Sequence, residues 1–382
     1  MAKKFFVSLL LVCILSCSAS YADIVYTTDN GTMGYIKIYS TLSVDTPVEE
    51  YSGVHDDSIA AHFYNEDGTS FIALIEPESD TSAASGDKAY IFNMSDLTKP
   101  VDNEAKILTG VYGTNSAAYS DNHRGIFFAS TINGRASISQ FDTDTLEFVR
   151  RISYTCSNDN AFMSTVLVDG ASVYGLINQA TSQDSLFLRF DGQLDDSVKG
   201  SWSHNTRYDS EIIAFKDNNN VLLAHSGGVD IFSNGDFYLV VSTDTPVKAI
   251  CRDNNSGFYF ITQSDDGRQV LQHAKSITEL PEVIDSGTSD SYICKAVYYD
   301  NDNKKFLAVI MNDSIAIYDP ETDSLIEEFS SSKLGGIPIS ITGTAQNTSS
   351  TKSSSSSGCD ITGSGILLIL CAGYVLIRKR KY

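Results

Sequence analysis

Six histidines, His55, His62, His123, His204, His225 and His273, are the side chains of this 382-residue chain best suited to proton transfer near neutral pH. They stand singly, and no two have the spacing of paired zinc ligands, such as the three-residue gap of His-Glu-x-x-His. That pattern predicts loop or surface histidines, with His62 the exception to watch because it falls on an expected inner strand. Hard oxygen donors recur in polar clusters such as Tyr299-Asp300-Asn301-Asp302-Asn303, where Asp300 and Asp302 alternate as calcium ligands would. No cluster has the Asp-x-Asp-x-Asp-Gly pattern with a later Glu. Asp and Asn also bond their local backbone and tolerate left-handed angles in turns. Turn chemistry is therefore the preferred reading, structural calcium the alternative, and no other cofactor is expected.

Seven cysteines divide by position. Cys13 and Cys17 lie near the N-terminus, and Cys359 and Cys371 lie near the C-terminus. Cys156, Cys251 and Cys294 remain in the body, an odd number. Cys251 and Cys294 occupy similar places in neighbouring repeats, which permits a disulfide in an oxidising compartment, although two buried thiols are preferred. No Gly-x-Ser-x-Gly elbow, phosphate-binding glycine loop or Cys-x-x-Cys is present. Charged residues expected on inner strands, chiefly Lys248, Lys295 and Glu211, make no evident carboxylate pair, and the lysines suit a solvated channel mouth. No catalytic, cofactor-binding or metal-binding residue is expected.

The elements that carry these residues are short strands. Between Asp23 and about Ala345, runs rich in Val, Ile, Phe and Tyr alternate with Asn, Asp and Gly clusters, and no long helical period appears. One polar turn recurs, with Asp67, Asp121, Asp169, Asp217, Asp253 and Asp300 at successive steps of 54, 48, 48, 36 and 47 residues. That spacing is the length of a propeller blade. Small residues, Ala117, Thr165, Ala214, Ala249 and Ala296, stand three or four positions before these aspartates, as crowded innermost strands require. Apolar runs such as Ile126-Phe127-Phe128-Ala129, Val221-Leu222-Leu223-Ala224 and Phe258-Tyr259-Phe260-Ile261 follow the turns as buried second strands. Third strands end in hairpins such as Phe141-Asp142-Thr143-Asp144-Thr145-Leu146 and Tyr318-Asp319-Pro320-Glu321-Thr322-Asp323.

Six complete blades fit between His55 and about Ser330, and a partial one covers Asp23 to Gly53. Ile337-Pro338-Ile339-Ser340-Ile341-Thr342 is placed to complete it, giving an all-β, seven-bladed β-propeller with velcro closure of the first blade. The hairpins and the opening Ile24-Val25-Tyr26-Thr27-Thr28-Asp29-Asn30 resemble propellers of the YVTN and surface-layer type, relatives of WD40 repeats. No blade carries a Trp-Asp pair, and Trp202 is the only tryptophan. The resemblance implies a fold and does not imply an activity.

Both ends read as addresses. Lys3 and Lys4 precede an apolar run from Phe5 to Leu15, and Ser20-Tyr21-Ala22 offers small residues to signal peptidase, so a signal peptide over residues 1–22 with cleavage between Ala22 and Asp23 is predicted. A rival reading takes Ile14-Leu15-Ser16-Cys17 as a lipobox, which Leu15 is bulky for. At the other end, a Ser-rich linker over residues 346–358 leads to a sorting signal over residues 359–382. Its apolar stretch Ile361 to Ile377, 17 residues long, is at the lower edge of a membrane-spanning helix, and Arg378-Lys379-Arg380-Lys381 would remain cytoplasmic. Ser357-Gly358-Cys359-Asp360 resembles the Ser-Gly-Cys sorting signals of the Synergistetes, with the rhombosortase-dependent type as a relative. The resemblance implies a membrane protease cutting near Gly358 and Cys359, and a body displayed on the cell surface or released. An unprocessed membrane anchor is the alternative.

Acidic residues outnumber basic ones 48 to 27, a net charge of −21, which repels nucleic acid and anionic lipid. The expectation is an exported binding or interaction module for an unknown protein or carbohydrate ligand. Signal peptidase and the sorting protease are its partners in transit, and the C-terminal helix is its membrane contact until processed. A propeller lactonase or lyase with its site at the central channel is the alternative.

Overall fold

β-branched and aromatic residues pair into strands wherever an Asp, Asn or Gly cluster lets the chain reverse. In the computed structural model the described residues run from 24 to 343, apart from 40–42, 56–57, 79–85, 133–134, 155–160, 170–171, 180–184, 192–197, 205–211, 215–219, 234, 254–256 and 302–303. The signal peptide, Asp23, the Ser-rich linker and the sorting signal with its helix lie outside them, as do Cys156, Glu211 and Asp302. Among the described residues no helix is long and apolar enough to cross a membrane.

The described strands form seven four-stranded antiparallel sheets, which makes the chain a seven-bladed β-propeller. In six of them the chain runs outward in sequence order. Blade 6, for example, is Val247–Arg252, Phe258–Gln263, Arg268–Ala274 and Glu282–Thr288. Its second strand is buried throughout, while its outermost strand is largely exposed. That gradient follows from position, because a second strand has a neighbour on each edge and a neighbouring blade on each face.

Blade 1 is built from both chain ends. Its innermost strand is Pro338–Gly343, paired antiparallel with Ile24–Thr28 so that Ile24 faces Gly343 and Tyr26 faces Ile341. At the rim of this seam Asp29 N–H donates to the Ile337 carbonyl (2.9 Å), Ile337 N–H donates to Asp29 Oδ1 (2.7 Å), and Asn30 Nδ2 donates to the Gly335 carbonyl (2.9 Å). The pairing leaves the ring without an open inner edge.

The recurrent small residues Ala117, Thr165, Ala214, Ala249 and Ala296 all lie on innermost strands. Apolar packing is divided among the blade interfaces. Phe127, Ile138, Met163 and Leu188 join blades 3 and 4; Leu222, Val229, Phe258 and Phe260 join blades 5 and 6; Cys251, Tyr259, Tyr298 and Leu307 join blades 6 and 7. Each aromatic buried there contributes on the order of 2–3 kcal/mol from area removed from water. Stability is thus spread around the ring.

Because successive strands alternate in direction, the turns between first and second strands and between third and fourth strands share one face. Contacts between blades on that face are polar: Glu66 N–H of blade 2 donates to Asp144 Oδ1 of blade 3 (2.6 Å), and Arg124 pairs with Glu66 (2.7 Å).

Candidate functional site

Three histidines are buried on strands, His62 on the inner strand expected for it and His225 and His273 against the expectation of loop or surface positions, and in each case a polar partner accompanies the burial. His62, 1% exposed on the innermost strand of blade 2 (Ile59–Tyr64), has Nε2 2.6 Å from Ser70 Oγ and sits edge-on against the Tyr64 ring. Its Nδ1 has no partner among the described residues. Burial pushes its pKa down to about 4, so the ring is neutral at physiological pH. His225, at the end of the second strand of blade 5 (Asn220–His225), accepts from Gly227 N–H at Nδ1 (3.0 Å) and brings Nε2 to 3.4 Å from buried Asp230. His55 and His123 lie between strands, His55 exposed as the sequence implies.

His273 is the most enclosed by charge. It lies on the third strand of blade 6, with Nε2 3.2 Å from Asp253 Oδ2 and Nδ1 2.9 Å from Asp323 Oδ2. Asp253 belongs to the first turn of blade 6, and its other oxygen accepts from Gly257 N–H at 2.8 Å. Asp323 belongs to the last turn of blade 7, where it holds a left-handed φ of 54°. Tyr259 stacks on the His273 ring at 4.0 Å and donates its hydroxyl to Asp323 Oδ1 (2.9 Å). Burial works against a proton on His273, but the bonds to Asp253 and Asp323 outweigh it and its pKa is raised. Burial and the neighbouring Asp323 carboxylate raise the Tyr259 hydroxyl, so it remains a donor.

On the same face, inner strands of blades 2, 3 and 7 carry Tyr64, Tyr119 and Tyr299 at or near their C-terminal ends. Tyr64 and Tyr119 lie with ring centroids 6.0 Å apart, and Tyr119 is hydrogen-bonded to Asp121. Burial, then Tyr299 and Asp121, push Tyr64 up to about 12. Tyr64 and Tyr119 therefore stay neutral, while Tyr119 and Tyr299 are buried in the apolar packing around the inner strands.

Asp87 is a further buried anion, missed in the sequence because it lies outside the recurrent turns. It is fully buried and accepts from Glu78 N–H (2.9 Å), Gly113 N–H (3.0 Å), Thr114 N–H (2.8 Å) and the Thr114 hydroxyl. Burial raises its carboxyl even against these donors. Aspartates of the third-strand hairpins act on their own backbone: Asp142 accepts from Asp144 and Thr145 N–H (2.9 Å each), and Asp319 from Glu321 N–H (2.9 Å). Among the described residues no group of three or more His, Cys, Asp or Glu side chains is arranged to hold a metal ion.

Lys248 and Lys295, the second and first residues of the inner strands of blades 6 and 7, are half-buried. Cys251 and Cys294 are buried as thiols in the cluster between those blades. Processing residues Ala22, Asp23, Gly358 and Cys359 lie outside the described residues.

Chemically, His62 and Ser70 form a base and hydroxyl pair, but the ring lacks an orienting partner at Nδ1, and a base with a pKa near 4 takes up protons poorly at neutral pH. His273 has both nitrogens engaged.

The seven sheets define a seven-bladed β-propeller. Comparisons with protein-family models and with curated proteins give no match. Among solved structures the chain is similar to a periplasmic gluconolactonase of Pseudomonas aeruginosa, with a TM-score of 0.58 at 12% identity, covering 85% of this chain and 99% of that one. A candidate 6-phosphogluconolactonase of Bacteroides fragilis gives 0.56 at 11% identity over 85% and 98%. A Lactobacillus plantarum protein gives 0.59 at 10% identity over 84% and 98%. At such identities the likeness establishes the fold alone.

Proposed function

We propose that the protein is an exported propeller, surface-displayed or released, that works as a non-catalytic binding module. The observation that carries this reading is how its ionisable groups are used. His273 is clamped between Asp253 and Asp323, Asp87 is wrapped by main-chain and hydroxyl donors, and His62 is buried against Ser70. Side chains that a reaction would need are committed to joining strands, turns and blades. Meanwhile Tyr238, Leu239, Val283 and Leu325 on outermost strands and Tyr292 in a connecting loop stand 49–67% exposed, as contact residues for a partner would. Export and display rest on the two terminal signals.

A second reading, a lactonase with its site at the central channel, is supported by the likeness to propellers named as gluconolactonase and candidate 6-phosphogluconolactonase. Incubating the purified protein with lactone, glycoside and peptide substrates separates the two. The binding reading expects no turnover above buffer, and saturable turnover of any of these substrates overturns it.

A further inference from the structure

Blades 6 and 7 are joined differently from the other described blade pairs, by an imidazole with a carboxylate at each nitrogen. Asp253 reaches His273 Nε2 from its own blade, and Asp323 reaches Nδ1 from the next. A neutral imidazole carries one N–H. With one proton only, the other ring nitrogen would point its lone pair at a carboxylate oxygen 2.9 or 3.2 Å away. Both carboxylates already serve as acceptors for other groups, Asp253 for Gly257 N–H and Asp323 for the Tyr259 hydroxyl, so each meets the ring as an acceptor. Geometry therefore calls for a ring with both protons. We propose that His273 is a proton-operated clasp, closing the seam between blades 6 and 7 as an imidazolium and slackening it when the proton leaves.

Every element packed around the ring fits this assignment. From blade 6, Asp253, Tyr259, Glu282 and the Cys251 thiol face the cluster, and Glu282 is partly neutralised by Lys275 at 2.7 Å. From blade 7 come Asp323 and Tyr298, the latter stacked on Tyr259 at 6.3 Å. The surroundings are thus anionic apart from one solvent-facing lysine. The sign follows from linkage: a histidine whose folded pKa is raised contributes stability fully below the unfolded value near 6.5, and that contribution is lost as pH rises through the folded value. The clasp holds in acid and opens toward alkali, independently of what the propeller binds.

The test is thermal unfolding of the full chain and of His273→Gln at pH 5.5 and pH 9, with carbon-13-labelled histidine followed by NMR in the unmodified chain. The glutamine variant keeps one donor and cannot gain a proton. The gap in Tm between the two chains should be about 3 °C or more wider at pH 5.5 than at pH 9, and His273 should titrate above 6.5. An equal gap at both pH values overturns the clasp. Should the variant fail to fold, the titration decides alone, and a His273 midpoint below 6.5 overturns it.

Discussion

His62 gives a proton-linked prediction of opposite sign to His273. Its ring is 1% exposed, and burial holds its pKa at about 4 against 6.5 in an unfolded chain. Between those values the unfolded state binds a proton that the folded state refuses, so stability falls as pH drops through this window. At pH 5 the unfolded chain carries nearly the whole proton and the folded chain about a tenth of one, and the linkage free energy is about 2 kcal/mol. For a folded body of this size that is a Tm shift of about 3 °C. His62→Gln keeps a partner for the Ser70 hydroxyl and removes the titration. Differential scanning calorimetry of both chains at pH 7.5 and pH 5 should show the unmodified chain losing about 3 °C of its advantage over the variant on acidification. A gap that stays constant, or widens at pH 5, would refute the claim that His62 is buried neutral at the inner strand.

Two further substitutions test the loops and the outer strands. Asp87→Ala strips the acceptor from three main-chain N–H groups and a threonine hydroxyl, and should destabilise the chain by about 3–5 kcal/mol in denaturant unfolding. A loss below about 1 kcal/mol would mean that water replaces the carboxylate. Gly228, at φ 145°, has no room for a side chain, since a Cβ there would meet the Val241 carbonyl at 1.9 Å. Gly228→Ala should cost about 3 kcal/mol or more by the same assay.

The ring was legible in the sequence because blade geometry imposes a period: the small residues Ala117 to Ala296 each fall on an inner strand, and the described members of the Asp67 to Asp300 series fall at or beside the turn that follows one. Ile337–Thr342 was read as the strand completing blade 1, and Pro338–Gly343 pairs with Ile24–Thr28 there. Histidine environments were not legible. His273 and its two aspartates lie 20 and 50 residues apart: Asp253 meets the ring through the pairing of strands within blade 6, and Asp323 only because consecutive blades stack face to face. Nothing in single-residue spacing reports which face of a strand meets the neighbouring blade. Asp253 and Asp323 did stand out as turn residues, but the same side chains cap local backbone elsewhere, as Asp142 does. Asp87 belongs to no repeat, and its four donors come from both sides along the chain.

The most direct measurement of the central claim is ring opening of gluconolactone by the purified protein, followed by proton release and compared with His62→Gln. A binding module predicts the rate of buffer alone for both chains across protein concentrations. Saturable turnover, lost in the variant, would contradict the account and make the inner strand around His62 part of an active site.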